Sequence, residues 1–139
     1  MREILFRGKR KDNGEWVQGQ LLHFKASVGT EELAIIVEGC EWDNSNEWFN
    51  LGKRAKVFPE TIGQYTGLTD KNGTKIFEGD IVESVYYHFK GVVIFDEYCR
   101  FVIKDVIEGG YYLVAHNNND CIVIGNIHDN PELLGGAEQ

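Results

Sequence analysis

Apolar residues recur along this chain in short runs, cut every few positions by glycine, asparagine or aspartate, and no helical periodicity is sustained. The strongest signal lies between Ile62 and Val82. Its centre, Asn72-Gly73, tolerates the positive φ angles of a tight turn and is flanked by Tyr65 and Leu68 on one side and Ile76 and Phe77 on the other, which predicts a hairpin. Gly79-Asp80 then interrupts before Ile81-Val82, as expected where a strand bends or another backbone approaches closely. Asp80 is expected to hydrogen-bond local backbone there.

The same grammar appears upstream, where Ile4-Leu5-Phe6 and Trp16-Val17 flank Asp12-Asn13-Gly14. At an offset of 59, Phe6 matches Tyr65, Gly8 matches Gly67, Asn13-Gly14 matches Asn72-Gly73 and Val17 matches Ile76. Either two hairpins are related or hairpin chemistry recurred independently. Leu33–Val37 is a strongly apolar strand, and Glu38 to Phe49 reads as an acidic, aromatic loop. Its Trp42 and Trp48 are candidates for an interaction surface, against the plainer reading that they fold back onto the core. Beyond Gly79 come five short strands, Ile81–Tyr86, Gly91–Phe95, Phe101–Ile107, Tyr111–Ala115 and Ile122–Ile127. Five short antiparallel strands suit a small SH3-like barrel. Asn130-Pro131-Glu132-Leu133-Leu134-Gly135 predicts one helical turn, with Asn130 as cap, Pro131 at the first position and the leucines against a β edge.

The expected fold is mainly β. A hairpin-rich N-terminal half (residues 1–66) leads through the central hairpin and junction (67–80) into a small β-barrel half (81–139), and the three can form one compact unit. The segments "TIGQYTGLTDKNGTKIFEGDIV", "VIGNIHDNPELL" and "ILFRGKRKDNGEWVQG" together resemble the YopX protein family of bacteriophages and prophages. The resemblance covers most of the chain, thins between Phe24 and Phe58, and implies a small β-rich fold of phage or prophage origin. It carries over no catalytic residues.

Charge narrows the partners. The formal net charge is -8, and residues 61–139 hold five basic and twelve acidic side chains, a balance of -7. Such a field repels phosphate backbones, so nucleic acid is a disfavoured partner. The one basic cluster, Arg7, Lys9, Arg10 and Lys11, sits beside the first hairpin turn and is the candidate nucleic-acid contact; the plainer reading is a solvated face. Cys40, Cys99 and Cys121 are odd in number and far apart, which fits reduced thiols in a bacterial host cytoplasm. No apolar run approaches membrane-spanning length, so no membrane association is expected.

Catalytic patterns are missing. His23, His88, His116 and His128 never stand at paired metal-ligand spacing, and no phosphate-cradling loop or nucleophile elbow occurs, so neither metal nor cofactor is expected. Cys121 near His116 would make a nucleophile only if the two met in space, whereas a cysteine opening an apolar strand is usually buried. Asp96-Glu97 reads as a solvated turn. The continuous runs Val92–Phe95 and Ile122–Ile124 call for cover on both strand faces, which points to a homo-oligomer. The expected function is therefore a non-enzymatic, self-associating module with an unidentified protein partner. A nucleic-acid-associated β-barrel is the alternative, and a small hydrolase a third reading.

Overall fold

The computed structural model describes residues 2–43 and 48–135, with the backbone alone for 41–43, 48 and 49. The described elements are overwhelmingly strands. The chain separates into two compact units, one spanning Glu3–Gln64 and the other running from Tyr65 onward together with Arg2.

In the first unit, β1 (Phe6–Lys9), β2 (Trp16–Phe24), β3 (Leu33–Val37) and β6 (Arg54–Lys56) form an antiparallel sheet in the order β6-β3-β2-β1. Alternation along each strand sends Val17, Ala34 and Ile36 to one face, where they pack with Val57, Phe6, Leu21 and Ala55. Gly8 belongs on that face because a β-carbon there would stand 2.9 Å from the Val57 side chain. At Gly19 it would collide with the Val37 carbonyl. Between β3 and β6 lies a two-stranded hairpin, β4 (Cys40–Asp43) and β5 (Trp48–Leu51), with Trp42 opposite Phe49 and Asp43 opposite Trp48. The segment expected to be a loop is thus paired on both flanks: tryptophan, phenylalanine and a free cysteine suit a pleated surface, which outweighs the polar residues between them. The side chains of Trp42 and Trp48 lie outside the described residues.

β7 (Gly63–Thr69) begins by pairing Gly63 and Gln64 with Arg7 and Phe6 of β1. Its remainder pairs with β8 (Lys75–Phe77) across the central turn, with a register irregularity between Tyr65 and Thr69. Gly67 takes φ +88 within that irregularity, and Gly73 takes φ +84 in the turn. Gly79 has φ +93 and is approached from two sides: its N–H donates to the Val93 carbonyl at 2.8 Å, and its carbonyl accepts from Ile127 at 2.9 Å. Asp80 reaches back over this glycine to accept the Phe77 N–H at 2.7 Å, and it is almost fully buried.

The second unit holds a five-stranded antiparallel sheet in the order β12-β11-β10-β9-β13, made from β9 (Asp80–Ser84), β10 (Lys90–Phe95), β11 (Phe101–Asp105), β12 (Tyr111–Leu113) and β13 (Cys121–Asn126). The sheet does not close, so the expected SH3-like barrel gives way to an open sheet with β12 and β13 as its edges. β12 stops after three residues, and Val114–Asn117 turns into the short helix α1, followed by a 3₁₀ turn at Asn118–Asp120. One face carries the core of Val82, Val93, Ile103 and Cys121, joined by Ile76, Phe89 and Val114. Ile81 and Val102 on the other face are also buried, as the continuous apolar runs require. Part of that second cover is local. Pro131–Leu134 forms a 3₁₀ turn, and Leu133 lies over Gly125, where a β-carbon would meet its Cδ1 at 2.8 Å. Asn130 does not cap the turn; its side-chain oxygen accepts the Asn126 N–H instead.

Candidate interaction surface

Residues directly opposite one another in an antiparallel pair share a face. Lys9 opposes Trp16 and Arg7 opposes Gln18, while Gln20 opposes Val37, which in turn opposes Arg54. Leu22 opposes Ile35, itself opposite Lys56, and Phe24 opposes Leu33. The second face of the N-terminal sheet therefore has cations along both flanking strands and no carboxylate at any strand position, with amides and apolar side chains between them that run from the buried Val37 to the exposed Leu22 and Phe24. Leu22 is 40% and Phe24 60% exposed, where outward strand positions are ordinarily polar.

The predicted basic cluster divides across this surface. Arg7 and Lys9 stand 4.8 and 5.6 Å from the Trp16 ring, a cation–π arrangement that holds them against the sheet. Arg10 instead turns to Asp12, with Nε and a terminal nitrogen at 2.9 and 2.8 Å from its two oxygens. That bidentate contact raises the arginine and lowers the aspartate from their ordinary pKa values. Lys11 lies 5.9 Å from the Phe58 ring. The four residues do not converge into one phosphate cradle. Arg54 and Lys56, which complete the cationic face, escaped the sequence reading because nearly fifty residues separate them from Arg7; only the strand register brings them onto its face.

The second unit presents two further features. At the β10–β11 turn, residues 94–98, Arg100 and Tyr111 line an open depression whose aromatics Phe95, Tyr98 and Tyr111 are each about half exposed or more. Asp96 organises this turn by accepting the Tyr98 and Arg100 N–H groups and the Arg100 guanidinium, which lowers its pKa. The second feature is a depression of about 360 Å³ lined by Tyr87, Phe89, Tyr112, His116, Asn117 and Asp120. Phe89 and Tyr112 stack there at 4.2 Å, nearly parallel. Cys121 is fully buried, and burial first, then the charges of Asp120 and Asp70, pushes its thiol up to about 11. A thiol held protonated is the opposite of an activated nucleophile. Among the described residues no group of three or more histidine, cysteine and carboxylate side chains is arranged to hold a metal ion.

Of the predicted turn residues, Asn72 and Gly73 are held by Asp70, which the sequence reading passed over, while Gly79 and Asp80 bond elsewhere. The buried Asp70 carboxylate accepts the N–H groups of Asn72 at 2.8 Å, Thr74 at 2.9 Å and Val123 at 2.9 Å, tying the central turn to β13. The Lys71 N–H adds a bond to the Cys121 carbonyl, and the Asn118 side chain donates to the Thr69 carbonyl. Asn72 and Gly73 supply the turn and Asp70 supplies its anchor.

A family model described as YopX protein matches residues 5–135. The chain belongs to the YopX family. In agreement, the crystal structure of protein EF1440 from Enterococcus faecalis has a similar fold, with a TM-score of 0.66 and 24% identity over 97% of this chain and 100% of that one. No curated protein matches. No described helix is long and apolar enough to cross a membrane.

Proposed function

We propose that this YopX-family chain is a phage or prophage accessory protein of the bacterial cytoplasm that works as a self-associating protein-interaction module and performs no catalysis. The observation that supports this reading is the outward face of the N-terminal sheet, where Leu22 and Phe24 are exposed beside cations with no carboxylate among them. Apolar side chains at adjacent outward positions cost solubility unless a partner covers them. Sedimentation equilibrium at micromolar concentration tests it. A mass that is a multiple of 15.8 kDa is the expected result, and a single species at 15.8 kDa rejects self-association.

The nucleic-acid reading draws on the same cations, but Arg10 is engaged by Asp12 and the net charge of -8 opposes a polyanion. It ranks second, and salt-dependent retention on DNA or RNA would promote it. The hydrolase reading loses its nucleophile with the burial of Cys121.

A further inference from the structure

Resting on the self-association just proposed, we infer that the occupant of the N-terminal sheet face is a second copy of this chain, presenting the aromatic depression of its C-terminal unit with the exposed Glu97 beside it. Charge is the first argument. The face carries Arg7, Lys9, Arg54 and Lys56 with no strand carboxylate, whereas residues 61–139 have a balance of -7. Opposite potentials on two patches of one molecule steer identical copies together. Arg54 and Lys56 are exposed, and neither forms an ion pair with a described residue.

Surface chemistry is the second argument. Leu22 and Phe24 on the face need an apolar counterpart, and Phe95, Tyr98 and Tyr111 at the depression are exposed aromatics beside the exposed carboxylate of Glu97. Aromatic anchors at the centre with charged groups around them are the usual anatomy of a protein interface. The two patches are different, so each copy offers one of each kind: engaged both ways across a two-fold axis they make a reciprocal pair, and engaged head to tail they make a ring.

The test uses two full-length variants, both at exposed positions and both first checked for unchanged melting. Arg54→Glu/Lys56→Glu spoils the face and keeps the depression, while Glu97→Lys/Tyr98→Ala does the reverse. Each alone is expected to weaken self-association by roughly tenfold or more in light scattering, and raising salt weakens the parent in the same direction. Mixing the two variants is expected to restore a one-to-one pair, because one good face then meets one good depression. If the parent sediments as a monomer, self-association and this inference fall together. If the parent associates and Arg54→Glu/Lys56→Glu associates equally well, or if mixing restores nothing, the self-association stands and this assignment of the surface is overturned. Retention of polyuridylate at physiological salt by a monomeric parent, lost in Arg54→Glu/Lys56→Glu, would make single-stranded nucleic acid the occupant and also overturn it.

Discussion

The two hairpins share their turn chemistry and differ in what holds them. In the first, the Arg10 N–H donates to the Glu15 carbonyl and the Gly14 N–H to the Arg10 carbonyl; in the second, Asp70 donates to Thr74 and Gly73 to Asp70. Gly14 and Gly73 both take positive φ, at +73 and +84. The first turn is held by exposed side chains, through Arg10 with Asp12 and the Glu15 N–H on the Asn13 side chain, and by the Lys11 N–H on the Lys56 carbonyl. The second is fixed by a buried carboxylate that also binds Val123, fifty-three residues away. One carboxylate engaging three N–H groups, taken out of water, makes the second hairpin part of the core. The first has a backbone tie to Lys56 but no buried side chain at its centre.

The largest expected effect follows from that staple. Asp70→Ala removes the buried acceptor of three part-exposed N–H donors and should cost about 2 to 3 kcal/mol, seen as a lowered denaturant midpoint. A loss below about 1 kcal/mol would mean that the turn closes without its anchor. Next come the shared glycines. Gly73→Val and Gly14→Val each force a β-carbon into left-handed backbone where neither has a neighbour within 4 Å, so each should cost about 1 to 2 kcal/mol by thermal melting. The first turn is one residue longer, with the Gly14 N–H bonding four residues back and that of Gly73 three, and strongly unequal costs would show that this difference in span matters.

Cys121 reports on the second hairpin, because its carbonyl accepts the Lys71 N–H. A thiol reagent at pH 8 should modify exposed Cys40 and Cys99 quickly and Cys121 only through unfolding, and Asp70→Ala should speed Cys121 alone. The folded thiol ionises at about 11 against an ordinary 9.0, so the folded state keeps a proton that the unfolded state releases. Stability from this group is full below about 9 and is lost as pH rises toward 11. The Cys121→Ala variant should lack that alkaline decline. The smallest effect belongs to the first turn. Asp12→Ala breaks an exposed pair and should melt with the parent, at low and at high salt alike. A clear loss would give the first hairpin an anchoring role like that of the second.

How far the chain could be read in advance follows the same divide. Gly73 and Gly79 announce positive φ by residue type, so the central hairpin and the kink after it are plain from local chemistry. The matched glycines mislead: Gly67 is needed for its φ of +88, Gly8 for clearance from Val57, so an echo in residue type is no echo in geometry. Asp70 looks like an ordinary turn aspartate, because its bond to Val123 depends on a strand far along the chain. The cationic face was hidden for the same reason, since Arg54 and Lys56 join Arg7 and Lys9 only through the pairing of four strands. The strand expected over Tyr111–Ala115 ends early, because at Val114 a run of apolar and small residues that suits a strand turns into α1.

Native-state hydrogen exchange on the parent and on Asp70→Ala tests the difference between the hairpins most directly. The amides of Thr74 and Val123 in the parent should exchange only with global unfolding, while that of Glu15 exchanges through local opening. In Asp70→Ala the first two should fall to the level of Glu15, and Glu15 itself should not change. Equal protection of all three amides in the parent, or protection of Thr74 and Val123 that survives the substitution, would contradict the account.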